Sequence, residues 1–463
     1  MNNIFKKVYK RVPISIQNLI VSLYGYKIYR QRYGKVYYDS FKEFMAKDYS
    51  NLKNEEENQN NLLRLFLKFA VENSPFYRDL YSNIDTNKIE SVKDLSILPI
   101  IDKETIRKNI DKLYTINEKD AVVGFTGGTT GKSLKVLYTK DDFQRRMAYL
   151  DAFKSRLGIN TFKVKKATFS GREIITNPKK KVFWRYNYIY KQRLYSTFNM
   201  TEDNLPYYID DLNKFKPEVI NGFVSAIFEL SKFIKNNQIR LSFQAQAIFT
   251  TSETLLPIHR ELIEDVFNTK IYNQYASAEG APFITECKCG ELHYNLDTGV
   301  IETLPTDIGN QMIITSFTTH GTPLIRYNIG DIISFKDSTC KCGSSHPLVE
   351  YISGRKVDFL FSKEKGLVSL SHLADVIKGM PNNIKKMQFI QNSIDSIEIL
   401  IIVDDNSFEE SHIKSIMEEM RYRFGYNMDI EIKITENIPN ETSGKFALIK
   451  NKIIDQYENC IIR

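Results

Sequence analysis

Gly124-Phe125-Thr126-Gly127-Gly128-Thr129-Thr130-Gly131-Lys132-Ser133, directly after the apolar pair Val122-Val123, packs glycine, hydroxyl and cationic groups into one short loop. Such a loop suits a phosphate. Glycines let the backbone wrap an anionic group, threonine hydroxyls and turn amides donate to its oxygens, and Lys132 adds a positive charge. The spacing is not GxxxxGK[ST], because counting back from Gly131-Lys132-Ser133 puts Thr126 where the first glycine belongs. Gly/Ser/Thr-rich turns are also common linkers, so the loop alone leaves a plain connector open.

Four later stretches follow in a fixed order: Tyr275-Ala276-Ser277-Ala278-Glu279-Gly280, Arg326-Tyr327-Asn328-Ile329-Gly330-Asp331, Gly354-Arg355-Lys356-Val357-Asp358 and Thr442-Ser443-Gly444-Lys445. With the loop, they resemble the phosphate-binding, YGxTE, RYxxGD, GRxDD and SGK signatures of the adenylate-forming superfamily, which includes acyl-CoA synthetases, nonribosomal peptide adenylation domains and luciferases. Within it the chain looks most like the phenylacetate-CoA ligase branch. Val12-Pro13-Ile14-Ser15-Ile16-Gln17-Asn18-Leu19, Ser22-Leu23-Tyr24-Gly25-Tyr26 and Thr251-Ser252-Glu253-Thr254-Leu255 narrow the resemblance to the CapK-like proteins often found with polysaccharide biosynthesis genes.

The resemblance implies that a carboxylate attacks the α-phosphate of ATP and pyrophosphate leaves, a reaction that needs charge neutralisation and positioning more than a general base. Thr126, Gly127, Gly128, Thr129, Thr130, Gly131 and Lys132 would hold the β- and γ-phosphates, and Glu279 would ligate Mg²⁺, a hard cation that prefers oxygen. Tyr275 would pack against adenine with Ser252 and Glu253 nearby, and Asp331 would accept from the ribose hydroxyls. Arg355 would sit near the nucleotide at a domain junction. Lys445 would meet the α-phosphate and carboxylate as negative charge grows. Outside the motif order, these residues would read as a core tyrosine, a turn aspartate and surface cations.

Two departures stand out. Ala276 and Ala278 replace the usual glycine and threonine, so a hydroxyl contact to the α-phosphate is missing unless Ser277 substitutes. Val357 replaces an acidic residue in the segment that, by resemblance, is the hinge of a rotating small domain.

A chain of 463 residues is expected to hold more than one core. Its 64 Lys+Arg against 56 Asp+Glu give a net charge of +8, spread without the aromatic-interleaved stripe of a nucleic-acid groove, so no nucleic-acid partner is expected. No stretch approaches the ~20 apolar residues of a bilayer span, and Ile14 to Leu23 is too short and polar for a signal peptide, so a cytoplasmic protein is expected. Lys6, Lys7, Lys10 and Arg11 beside Ile14, Ile16, Leu19 and Ile20 read as a solvated basic helix, with a membrane surface as the alternative.

The first 120 or so residues read as helices and connectors, including an apolar helical segment from Asn61 to Ala70 that stops at Ser74-Pro75. Short apolar runs then alternate with helical ones in an α/β rhythm to about residue 335, with a buried strand over Gln311 to Ser316. Ile397 to Val403 and the alternating Asp429 to Ile434 read as strands. Between them Ser407 and Glu410 read as a capping box opening a helix that buries Ile413, Ile416, Met417, Met420 and Phe424. The expected fold is α/β: a large N-terminal adenylate-forming domain over residues 1–353 with a helical start and mixed sheets, then a small α+β domain over 354–463, mobile by the same resemblance.

Cys287-Lys288-Cys289 and Cys340-Lys341-Cys342 are each followed by glycine, roughly fifty residues apart. In a cytosolic chain two such pairs favour a structural Zn²⁺ site over disulfides, with unligated thiols as the plainer alternative. His293 and His346 trail the pairs, giving six candidates for four places. Phenylacetate-CoA ligase-like proteins show a Cys followed by a His in the first segment and Cys-x-Cys in the second, which implies Cys287, His293, Cys340 and Cys342, with Cys289 the first alternate. The activity implied by the whole resemblance is ATP- and Mg²⁺-dependent activation of a small carboxylic acid with transfer to coenzyme A, in a possible homodimer. Transfer to an amine, sugar or carrier protein is one alternative, and a non-catalytic nucleotide-binding role in glycan assembly is another.

Overall fold

The computed structural model describes residues 9, 11–126, 134–172, 174–306, 309–353, 359–364, 366–369, 373, 384–403, 408–441 and 446–453. Three helices lead: α1 (Ile14–Arg32), α2 (Lys35–Ala46) and α3 (Leu52–Asn73). α3 starts where the Asn51 side chain accepts the Asn54 N–H. It stops at Ser74 because Pro75 has no N–H to continue the ladder, and it buries Leu63, Phe66, Leu67 and Ala70. The loop-bearing stretch is a hairpin, β1 (Val122–Phe125) paired antiparallel with β2 (Lys135–Tyr138). α4 (Lys140–Arg156) follows, capped by Thr139 accepting from the Asp142 N–H.

The α/β rhythm resolves into β3 (Lys166–Ser170), β4 (Trp184–Asn187), β5 (Gln192–Ser196), α5 (Leu205–Phe215), β6 (Val219–Gly222), α6 (Val224–Asn236), β7 (Ala247–Thr250), α7 (Pro257–Phe267) and β8 (Ile271–Tyr272). The sheet runs β4-β5-β3-β6-β7-β8, parallel except for β4. One face, carrying Ala167, Phe169, Ile220 and Ile248, packs on α5, α6 and α7. The other meets α4 through Phe153 against Val219 and Phe249, and α1 through β4.

At Asn273 the chain leaves this sheet for a second, antiparallel one: β9 (Gln274–Tyr275), β10 (Ile284–Glu286), β11 (Leu292–Tyr294), β12 (Gly299–Thr306), β13 (Gly309–Ser316), β14 (Tyr327–Lys336) and β15 (Leu348–Ser353), in the order β12-β13-β14-β15-β11-β10-β9. The expected strand at Gln311 to Ser316 is the buried part of β13. Ser252, Glu253 and Tyr275 therefore follow the carboxyl ends of β7 and β8, where the parallel sheet meets the second one, the place open α/β folds favour for ligands.

The C-terminal part holds the hairpin β16 (Phe359–Ser362) with β17 (Gly366–Ser369), then β18 (Ile384–Ser393), β19 (Ser396–Val403), α8 (Glu410–Phe424), β20 (Asp429–Ile434) and β21 (Ile449–Asn451). The last four strands form one sheet, β20-β19-β18-β21, around a core with Phe389, Ile399, Ile401, Ile416, Met420 and Phe424. The expected start of α8 needs correction. Glu410 is its first residue and Glu409 its cap, because the His412 ring nitrogen takes the Glu409 N–H at 2.9 Å; Ser407 lies outside the described residues. Among the described residues no helix is long and apolar enough to cross a membrane.

Candidate functional site

Of the loop expected to hold phosphates, Thr126 is described, and Gly127, Gly128, Thr129, Thr130, Gly131 and Lys132 lie outside the described residues, as do Arg355, Lys445 and Cys460. Thr126 is buried and closes the hairpin: its N–H donates to Leu134 O at 3.0 Å and its Oγ1 accepts from Leu134 N–H at 2.9 Å. The loop is thus tied at its neck to a rigid strand pair. Tyr138, at the far end of β2, donates its hydroxyl to Ala278 O at 2.6 Å, which binds the hairpin to the turn holding Glu279.

That turn is tightly determined. Gly280 has φ +74, and an added Cβ would lie 2.2 Å from Thr319 Cγ2, so both backbone and space require glycine. Ser277 Oγ accepts from Ala281 N–H at 3.1 Å, a bond that does not use the hydroxyl hydrogen. Glu279 is buried, with 3 % of its surface exposed. A buried carboxylate is a fitting oxygen ligand for a hard cation such as Mg²⁺.

Arg146 on α4 is the residue that sequence reasoning missed. It is buried, and its guanidinium donates to Gly280 O at 3.2 Å, Thr318 Oγ1 at 2.9 Å and Ser277 O at 3.3 Å, over the Phe283 ring at 4.3 Å. The fork shape of arginine allows one side chain to hold both ends of the turn. Burial keeps its pKa below the ordinary arginine value.

Tyr275 and Asp331, proposed for adenine and ribose, come together: the Tyr275 hydroxyl donates to Asp331 Oδ2 at 2.6 Å. Gly330 supports this with φ +82, its N–H donating to Asn328 Oδ1 at 2.9 Å. Arg326, in the same motif, is turned away. Its Nε donates to Glu302 Oε2 at 3.0 Å, Nη2 lies 2.9 Å from Glu302 Oε1, and Nη1 reaches the carbonyls of Ser96 and Leu98. Ser252 follows β7 in a left-handed backbone, φ +69. Glu253 accepts from Ser225 N–H at 2.7 Å and Ser225 Oγ at 2.9 Å, which fixes the N-terminus of α6 beside the site.

The Cys/His groups converge as the resemblance implied. One ligand atom from each of Cys287, His293, Cys340 and Cys342 lies within 4.8 Å of all the others. Cys287 Sγ is 3.6 Å from Cys340 Sγ, and Cys342 Sγ is 3.4 Å from His293 Nε2. The two Cys-x-Cys-Gly turns are built alike: the N–H two residues on bonds the first sulfur at 3.4 Å in each, and Gly290 and Gly343 take φ +87 and +91. Cys289 is exposed and outside the cluster. His346 instead meets Glu55, Nε2 to Oε2, at 3.3 Å. Three sulfurs and an imidazole at this separation are a donor set for tetrahedral Zn²⁺. The three cysteines sit in the β10–β11 and β14–β15 connections and His293 on β11, where one ion would fasten the strand opposite Tyr275 to the strand carrying Asp331.

Residues 360–452 match the CapK C-terminal domain family. The chain is 38% identical to Protein CapK of Staphylococcus aureus over 454 residues, 96% of this chain and 99% of the relative. It is 24% identical to the phenylacetate-coenzyme A ligase of Thermus thermophilus over 386 residues, 76% of this chain and 82% of that one. Among solved structures, 2-hydroxyisobutyryl-CoA ligase in the postadenylation state, in complex with R3-HIB-AMP, aligns with a TM-score of 0.70 at 13% identity over 90% of this chain and 93% of that one. The fold is therefore that of the adenylate-forming CoA ligases.

Proposed function

From the premise that the chain belongs to the CapK family, we propose that it is an adenylate-forming ligase that activates a small carboxylic acid. The substrate carboxylate oxygen bonds to the α-phosphorus of ATP, the bond from that phosphorus to the bridging oxygen breaks, and pyrophosphate leaves with the electron pair. Coenzyme A thiol then attacks the acyl carbon, AMP leaves, and the thiol proton is released. The observation that carries this reading is the direct Tyr275–Asp331 bond, in a site whose Glu279 turn is bound to the Thr126 hairpin through Tyr138.

Tyr275 would lie against adenine, Asp331 would take the ribose hydroxyls, and Glu279 would hold Mg²⁺, which neutralises phosphate charge when bound. Ser252 and Glu253 would flank the base, and the Ser277 hydroxyl would point to the α-phosphate. By resemblance the loop through Lys132 holds the leaving phosphates, while Arg355 and Lys445 act at the reacting centre from the junction and the small domain. Cys287, His293, Cys340 and Cys342 would hold a structural zinc. We place the reaction in the cytoplasm, as a step in surface-polysaccharide biosynthesis, from the company that CapK-like proteins keep. A panel of carboxylates assayed for pyrophosphate release tests the activity; release with none of them would refute it.

A membrane-surface contact is favoured by α1. Its polar side faces inward: Arg185 Nε donates to Gln17 Oε1 at 2.6 Å, Tyr186 N–H to Asn18 Oδ1 at 2.9 Å and Tyr188 N–H to Ser22 Oγ at 3.0 Å. Its apolar side faces out, with Ile16, Leu19, Leu23 and Tyr26 exposed at 44, 54, 62 and 51%. No Asp or Glu precedes Asp39, and the eight cations Lys6, Lys7, Lys10, Arg11, Lys27, Arg30, Arg32 and Lys35 equal the whole chain's net charge of +8. An apolar stripe on an all-basic segment matches a bilayer bearing anionic lipid. The protein should sediment with phosphatidylglycerol-containing vesicles and not with pure phosphatidylcholine, and Leu19→Glu/Leu23→Glu should abolish this. Binding unchanged in that variant, or conversion of a dimer to a monomer by light scattering, would reassign the face, the latter to a second copy.

A further inference from the structure

The face of the parallel sheet turned to α1 and α4 carries charge that the roles above leave unused. Along β3, Ala167 and Phe169 enter the core behind the sheet, so Lys166, Thr168 and Ser170 belong to the α4 side. Three half-buried cations converge here from different elements: Arg32 ends α1, Lys154 lies on α4 and Lys166 opens β3. Arg172 joins them at the exposed rim. Arg32 Cζ is 5.8 Å from the centres of both the Phe143 and Tyr190 rings, and Lys166 Nζ is 5.8 Å from that of Tyr190.

Among the described residues, the carboxylate acting on this cluster is Asp151, which accepts from Tyr37 OH at 3.1 Å. Burial pushes the Lys166 ammonium down to about 8 and lowers Lys154 as well. Among the described residues, the Ser170 hydroxyl here is sealed from solvent without a hydrogen-bond partner, while the Tyr190 hydroxyl meets the Arg32 side chain. Cations taken from water without matching anions are costly, and unpartnered donors add to that cost. A bound anion relieves both.

The face leads toward the site. Ser170 ends β3, and the neighbouring strands end at Gly222 and Thr250, which lead into Ser225 and Ser252. From the other side Phe143 is 6.3 Å from the Tyr138 ring, whose hydroxyl holds Ala278 O. Two aromatic rings, Phe143 and Tyr138, lie between Arg32 and the turn that carries Glu279.

Resting on the adenylation reading above, we propose that this cation cluster binds the far end of the acid being activated, and that this end is anionic. The substrate then carries a second carboxylate or a phosphate besides the carboxylate that reacts. Phe143, Tyr138 and Tyr190 would flank its middle, and Arg32, Lys166 and Ser170 would hold its terminus.

Pyrophosphate release should be measured with neutral and anionic acids of matched size: pentanoate against glutarate, and glycerate against 3-phosphoglycerate. One anionic acid of these pairs should exceed its neutral partner at least ten-fold in kcat/KM, and which pair responds separates a carboxylate from a phosphate. Lys166→Met, which removes a half-buried charge, should fold and erase the preference, while Lys166→Arg should keep it. Equal or better use of the neutral acids, or a preference that Lys166→Met leaves intact, would overturn the proposal. If no acid releases pyrophosphate, the adenylation reading fails first. Calorimetry with glutarate and inorganic phosphate then decides the cluster separately: binding lost in Lys166→Met supports an anion site, and no binding to the wild type refutes it.

Discussion

Replacing Arg146 by methionine keeps the length of the side chain and removes the fork that holds the Glu279 turn. Three hydrogen bonds disappear, to Gly280 O, Ser277 O and Thr318 Oγ1, along with the cation over the Phe283 ring. Hydrogen bonds from a charged donor contribute about 1.5–3 kcal/mol each, but the guanidinium also gives back the several kcal/mol lost on burying it. What remains is dominated by the buried Gly280 carbonyl left without a donor, about 1–3 kcal/mol, because Ser277 O keeps the Gly280 N–H at 3.3 Å, so a net loss of about 2 kcal/mol is expected. If that loosening must be reversed to reach the adenylation transition state, kcat/KM for pyrophosphate release falls about thirty-fold. Arg146→Lys should rescue little, since one ammonium cannot span acceptors at both ends of the turn. Initial-rate kinetics with thermal unfolding of the same preparations measures both effects. A methionine variant that unfolds at the wild-type temperature and turns over within about three-fold of wild type would refute the idea that this cation sets the turn.

Asp331→Ala should weaken ATP binding, and unchanged affinity by calorimetry in a folded variant would remove Asp331 from the nucleotide site. Lys445→Ala should lower the turnover of pyrophosphate release by about 10²-fold or more while ATP binding changes little, the pattern of a group acting in the transition state; transfer from a preformed acyl-AMP to coenzyme A should largely survive. Protein purified with reductant and without chelator should carry about one zinc per chain, as a single structural site requires. Cys340→Ser should lose that zinc and melt at lower temperature, and wild-type protein without zinc by elemental analysis would eliminate the site.

The parts of the fold that a local pattern specifies were legible in advance. Pro75 marks the end of α3, the apolar run before Ser316 marks β13, and the period-two run from Asp429 marks β20. Motif order likewise pointed to Tyr275 and Asp331, although their mutual hydrogen bond joins strands 56 residues apart. Arg146 left no such trace. Among Asp141, Asp142, Gln144 and Arg145 it reads as one more charge on a solvated helix, and only the arrival of a turn 134 residues later buries it. α1 misleads in the opposite way. The usual rule turns its leucines inward, but β4 and the residue just after it offer backbone amides, of Tyr186 and Tyr188, that Asn18 and Ser22 can accept, so the helix rotates to bury amide and hydroxyl groups. The start of α8 moved for a similarly local reason, since histidine at its third position supplies the acceptor expected from a carboxylate.

The central claim is that ATP is opened at its α-phosphate by a carboxylate, and the products decide it. The protein should be incubated with ATP, Mg²⁺ and a mixture of small carboxylic acids without coenzyme A, and the nucleotides identified by mass spectrometry. Acid-dependent formation of an acyl-AMP with pyrophosphate, absent in Lys445→Ala, is the predicted result. ADP and phosphate as the acid-dependent products, or ATP recovered intact with every acid, would contradict it.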